Sequence, residues 1–96
     1  MSEVVKAAVE KLGQKIDSFG STAKFVITDE GAIMIDESGV RAADEGEEAE
    51  VTLTASRETF EGILAGDVNP TTAFMMGKLK VDGSMGVAMQ LGQKLS

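Results

Sequence analysis

The chain has 96 residues, 43% hydrophobic and 26% charged, with a formal net charge of −7 and no Cys, His, Trp or Tyr. That length supports one domain, spanning residues 1–96, with a core that needs no staples. The acidity argues against a nucleic-acid partner, and the missing His and Cys remove disulfides, Ser-His and Cys-His nucleophiles and the usual zinc ligands.

Residues 3–19 read as the first helix. Val5, Val9, Leu12, Ile16 and Phe19 recur at 4-3-4-3 spacing, within an arc of about 80° on the helical wheel. Such a narrow stripe suits a helix lying across a sheet. Gly20 is the expected stop, in the left-handed conformation that glycine adopts cheaply.

Short β-rich segments follow at 24–28, 32–35 and 40–43. They are separated by Asp29-Glu30-Gly31 and Asp36-Glu37-Ser38-Gly39, and Asp44-Glu45-Gly46 follows the last. Asp bonds its own backbone and Gly supplies positive φ, so these read as the turns of an antiparallel meander. A calcium loop needs closely alternating ligands with a closing Glu, and no segment has that spacing. Alternation puts Phe25 with Ile27, and Ile33 with Ile35, on an inward face. Residues 47–50 read as an exposed lead-in to the strand 51–55, where Val51, Leu53 and Ala55 point inward and the threonines outward.

Ser56 is a good N-cap for a helix over 57–65, with Phe60, Ile63 and Leu64 on one side. Asn69 caps a short helix that has Pro70 at its first position and ends at Gly77. A last strand spans 78–82, with Leu79 and Val81 on one face, and Gly83 leads into a final helix over about 85–95. On that helix Val87, Leu91, Leu95, Ala88, Gly92, Met85 and Met89 sweep an apolar arc of about 240°. Docking on a sheet uses roughly 100° or a little more, so a ligand, a second protein surface or the neighbouring short helix must account for the remainder.

The charge is localised. Residues 29–50 hold nine acids and one arginine, and the rest of the chain sums to +1. This reads as a solvated surface. No apolar run approaches the ~20 residues of a membrane helix, and the start lacks the basic, then apolar, pattern of a secretory signal, so a cytoplasmic location is expected. The P-loop and dinucleotide glycine spacings are not met. No cofactor, metal site or catalytic residue is indicated. A cofactor-free enzyme using Asp36 or Glu61 as base would require one of them to be buried in a cavity with a raised pKa.

Methionine is then the informative residue, because its unbranched thioether moulds to irregular apolar shapes. Met75 and Met76 on the short helix, and Met85 and Met89 on the last one, are placed to face one another with Phe74 beside them. Taken alone, that stripe favours an ordinary core over a ligand wall; the surplus arc of the last helix and a family resemblance shift the balance.

The run Gly66-Asp67-Val68-Asn69-Pro70, then 72–83, then Met85-Gly86-Val87-Ala88-Met89-Gln90-Leu91, resembles the sterol carrier protein-2-like family. The upstream order of helix, meander, Val-Thr-Leu-Thr strand and Ser-capped helix agrees, so the resemblance covers essentially the whole chain. It implies an α+β fold: a mixed, mostly antiparallel five-stranded sheet covered by helices, with an apolar tunnel. It implies non-specific carriage of sterols, fatty acids, fatty acyl-CoA and other lipids without catalysis by this domain. The chain lacks the family's frequent tryptophan near Ile33 and a peroxisomal Ser-Lys-Leu ending, and is similar to small prokaryotic single-domain members. A fatty-acyl or other single-chain lipid therefore stands beside a sterol as the expected ligand. The expected site has a sheet face (Phe25, Ile27, Ile33, Ile35, Leu53) and a helical wall (Phe60, Leu64, Phe74, Met75, Met85, Met89). Lys78, Lys80 and Lys94 are the cations available to an anionic head group. Transient membrane contact and a monomer or weak dimer fit this reading. The alternative is an interaction module whose last helix docks on a second copy or on an enzyme.

Overall fold

The computed structural model describes residues 3–44 and 46–95; Met1, Ser2 and Ser96, at the limits of the expected domain, and Glu45, in the third expected turn, lie outside the described residues. The strands are β1 (Ala23–Ile27), β2 (Gly31–Asp36), β3 (Gly39–Ala43), β4 (Val51–Ala55) and β5 (Leu79–Gly83). They form one mixed sheet in the order β3-β2-β1-β4-β5. β1 pairs parallel to β4, and the other three pairings are antiparallel.

Register follows from the two-residue period, since directly paired residues share a face. One row crosses the whole sheet: Ala42, Ile33, Phe25, Leu53 and Val81. Ile35, Ala23 and Val51 form a second row, and Ile27, Ala55 and Leu79 a third. All four helices pack on this apolar face.

The β1–β2 turn closes where the Glu30 N–H donates to the Ile27 carbonyl at 2.9 Å, with Asp29 at φ 65°. At the next hairpin the Ser38 N–H donates to Asp36 Oδ1 at 2.8 Å. Both are the Asp-centred turns expected from the sequence.

Helix α1 (Glu3–Lys15) buries Val5, Ala8 and Leu12 over β2 and β3. It is shorter than the expected 3–19. The Ile16 N–H still donates to Leu12 at 2.8 Å, but the Phe19 N–H donates to the Asp36 carbonyl at 3.0 Å. The chain thus leaves the helix to tie onto the end of β2 while Ile16 and Phe19 stay in the core. Gly20 is not a left-handed stop; the glycines at positive φ are 31, 39, 66, 77 and 83.

Helix α2 (Arg57–Ala65) starts at Ser56, whose hydroxyl accepts from the Thr59 N–H, and ends at Gly66 with φ 84°. It packs beside α1. Helix α3 (Pro70–Met75) is capped by Asn69 Oδ1, which accepts from Thr71 at 2.8 Å and Thr72 at 3.2 Å. Helix α4 (Met85–Leu95) crosses β1, β4 and β5.

The opposite face of the sheet carries Lys24, Met34 and Arg41 in one row. Residues 47–50, expected as an exposed lead-in, keep Glu48 and Glu50 exposed and are also tied to this side of the sheet. Lys24 Nζ donates to the Glu47 carbonyl at 2.8 Å, and Arg41 pairs with the Glu47 carboxylate at 2.9 Å. Glu50 and Thr22 exchange hydrogen bonds, Thr22 N–H to Glu50 Oε2 and Glu50 N–H to Thr22 Oγ1. Arg41 donates to the Glu47 carboxylate and the Asp44 N–H assists, which holds its pKa below the usual range.

Candidate ligand-binding site

An apolar cleft of about 410 Å³ opens between the sheet and the α3–α4 layer. Its floor is Phe25, Leu53, Leu79 and Val81. Pro70, Phe74 and Met75 of α3 form one wall, and Met85, Ala88, Met89, Leu91, Gly92 and Leu95 of α4 the other. The polar lining is Asn69, Thr71 and Gln93. Asn69 Oδ1 is already engaged by the α3 cap. Among the described residues no charged side chain lines the cleft.

The local causes are legible. α3 is only six residues long, because Asn69-Pro70 starts it and Gly77 at φ 79° stops it. So short a helix buries Ala73 alone and holds Phe74 and Met75 outward, at 41% and 79% exposure. β5 returns at once beside β4, and Gly83 at φ 111° turns the chain into α4. The Ser84 N–H donates to the Glu50 carbonyl at 2.9 Å, fixing where α4 begins. α4 buries Leu91 and Leu95 and leaves Met85 and Met89 at 46% and 66% exposure. Its surplus apolar arc is therefore unfilled by protein and faces the cleft.

Six of the eleven expected site residues come together on the cleft: Phe25, Leu53, Phe74, Met75, Met85 and Met89. The other five do not reach it. Ile27, Ile33 and Ile35 lie under α1 and its neighbours in the packed core, and Phe60 and Leu64 close the same core from α2. The Phe25 and Phe60 rings meet edge to face with centroids 4.6 Å apart, so Phe25 is where core and cleft join. Leu79, Val81, Leu91 and Leu95 line the cleft without having been singled out as site residues, although the alternation of β5 and the α4 arc already marked them as inward. Lys78, Lys80 and Lys94 do not line it. Met76 faces a separate depression with Val68 and Ala73.

Neither carboxylate considered as a base is in the cleft. The Asp36 side chain serves its turn, and Glu61 pairs with Arg57 on the surface of α2 at 2.9 Å. Among the described residues no group of three or more His, Cys, Asp or Glu is placed to hold a metal ion, and no helix is long and apolar enough to cross a membrane.

A mixed five-stranded sheet, helices on one face and an uncharged cleft under the last two of them define an α+β domain with an open apolar site. The chain belongs to the SCP-2 sterol transfer family, which it matches over residues 3–96. It is 32% identical to sterol carrier protein 2 of Gallus gallus, over 93% of this chain and 18% of that protein. It is 50% identical to a 42-residue stretch of peroxisomal multifunctional enzyme A of Dictyostelium discoideum, covering 44% of this chain and 10% of that protein. The chain thus spans under a fifth of these relatives. Among solved structures, sterol carrier protein domain 2 of Helicoverpa armigera superposes with a TM-score of 0.69 at 27% identity, over 95% of this chain and 81% of that one. Sterol carrier protein-2 of Aedes aegypti, solved with the C16 fatty acid palmitate, superposes at 0.78 with 20% identity, over 100% of this chain and 97% of that one.

Proposed function

We propose that this chain binds one aliphatic lipid chain in the α3–α4 cleft and carries it without acting on it chemically. The observation that carries the reading is a continuous apolar surface from the buried sheet floor, through Phe25, Leu53 and Leu79, to the exposed Met75 and Met89. Water wets that surface unless something apolar covers it. The cleft volume of about 410 Å³ lies within the roughly 300–1,000 Å³ range of small-molecule sites. The palmitate held by the Aedes aegypti protein is a ligand of the fitting class.

Apolar burial contributes about 0.8 kcal/mol per methylene, so a C14–C16 chain offers on the order of 10 kcal/mol before the costs of association and ordering. With no charged lining, chain length rather than head-group charge sets affinity. A fatty acid or fatty acyl group fits this better than a rigid sterol, since methionine walls adapt to a flexible chain.

Native mass spectrometry after incubation with palmitate, and titration with a fluorescent fatty acid, test the reading. One bound ligand per chain is expected. A protein that stays apo in both experiments sinks it.

A second reading draws on the same exposed methionines: the α3–α4 rim docks on another copy or on an enzyme. Sedimentation that stays monomeric across a hundredfold concentration range, on the order of the span that reveals micromolar association, counts against a second copy.

A further inference from the structure

Among the described residues the methionines fall into structurally distinct groups. Met34 is buried in the sheet at 3% exposure. Met75, Met85 and Met89 line the cleft and are 79%, 46% and 66% exposed. Met76 is 63% exposed but lies off the cleft. Accessible thioethers thus sit in the surface that lipid binding requires to be apolar.

We propose that the cleft methionines are sites of reversible oxidation by hydroperoxides, and that their sulfoxides expel the lipid; this rests on the lipid-carrying reading above. The thioether sulfur attacks one oxygen of the peroxide. The O–O bond breaks, and sulfur gains that oxygen and is oxidised by two electrons. The other oxygen leaves with the proton as water, or as an alcohol if the oxidant is an organic hydroperoxide. The product is polar and chiral where an adaptable apolar group stood. An S=O dipole against an aliphatic chain has no hydrogen-bond partner on the ligand, so the bound state loses while the free state stays hydrated. Sulfoxides are reducible enzymatically, which makes the change reversible.

The arrangement carries its own controls. Oxidation at Met76 should be as fast as at Met89 but without consequence for binding. Met34 should stay a thioether while the protein is folded. A bound chain should shield Met85 and Met89 and leave Met76 unshielded.

The experiment treats the full chain with hydrogen peroxide, maps sulfoxides by peptide mass spectrometry, and titrates a fluorescent fatty acid before and after. Oxidation at Met75, Met85 and Met89 is expected to weaken binding roughly tenfold or more. Saturating palmitate should slow oxidation at Met85 and Met89 by about threefold or more relative to Met76. Methionine sulfoxide reductases A and B together should restore binding. The triple variant M75L/M85L/M89L, whatever its own starting affinity, should lose none of it on treatment, whereas M76L should lose binding as the parent does. Unchanged affinity after full oxidation of the three cleft methionines overturns the proposal. So does equal loss in the triple Leu variant. Untreated parent protein that takes up no fatty acid overturns the lipid reading itself, a result distinct from either.

Discussion

The two halves of the helical layer treat the same sheet face differently. Under α1 and α2 the largest side chains turned to the sheet are sealed: Val5, Leu12, Phe60 and Ile63 are 0–2% exposed. Under α3 and α4 only Ala73, Leu91 and Leu95 are sealed, and the larger apolar side chains stand at the surface. The closed half is built from aliphatic and aromatic groups of fixed shape. The open half uses unbranched methionines and a helix too short to cover its strand. Closure supplies stability, and openness leaves a surface for an apolar chain.

Substitutions can break the two halves separately. The largest effect belongs to Phe60→Ala in the closed half. Its ring is fully buried and packs edge to face on Phe25. Removal should cost about 3–5 kcal/mol, read as a lower denaturant midpoint, and binding should fall only as the fold does. A loss below ~1 kcal/mol, with binding gone, would place Phe60 on the ligand side instead.

Next is Gly83→Ala, at the hinge that aims α4. A Cβ there would lie 2.4 Å from the Glu50 carbonyl oxygen, and φ is 111°. Strain alone costs roughly 1–3 kcal/mol, and relief requires the chain at 83, which leads into α4, and the Glu50–Val51 backbone to move apart. Stability and fatty-acid affinity should therefore fall together. An alanine variant with parental affinity would show that the cleft tolerates movement of α4.

Met85→Asp separates the halves most cleanly. Met85 is 46% exposed, so stability should change by less than ~1 kcal/mol. A carboxylate on the cleft wall should still weaken fatty-acid binding about tenfold or more. A folded, fully binding variant would move Met85 off the wall.

The strands were legible because alternation is a local property: Phe25 and Ile27, then Val51, Leu53 and Ala55, carry the period and turn inward as read. The caps at Ser56 and Asn69 were legible for the same reason. The end of α1 was not, because the Phe19 hydrogen bond to Asp36 is a long-range tie that overrides a helical pattern. The division of the apolar residues between core and cleft was only half legible. Hydropathy does not distinguish Ile33 or Phe60 from Phe74 or Met89. Whether such a side chain is covered depends on how far a helix reaches, which the brevity of α3 decides. The surplus arc of α4, the methionines at 75, 85 and 89, and the family resemblance over 66–91 were the sequence features that pointed to the open half.

The smallest effect tests the far side of the sheet. Arg41 and the Asp44 N–H hold the Glu47 carboxyl below the usual carboxylate range. A group whose folded pKa is depressed stabilises the fold above its unfolded value, near 4.3 for Glu, and the contribution vanishes as pH falls through the folded value. Glu47→Gln should therefore lower the denaturation midpoint slightly at about pH 7, and the difference from the parent should shrink as the pH falls below about 4.3 and disappear once the folded-state carboxyl is protonated. The Lys24 bond goes to the Glu47 carbonyl, not the carboxylate, so it survives the substitution and keeps the segment in place. Fatty-acid affinity at neutral pH should be unchanged, because Glu47 lies across the sheet from the cleft. A difference that persists undiminished in acid would mean that the Glu47 side chain holds the segment by shape and neutral hydrogen bonding rather than by its charge.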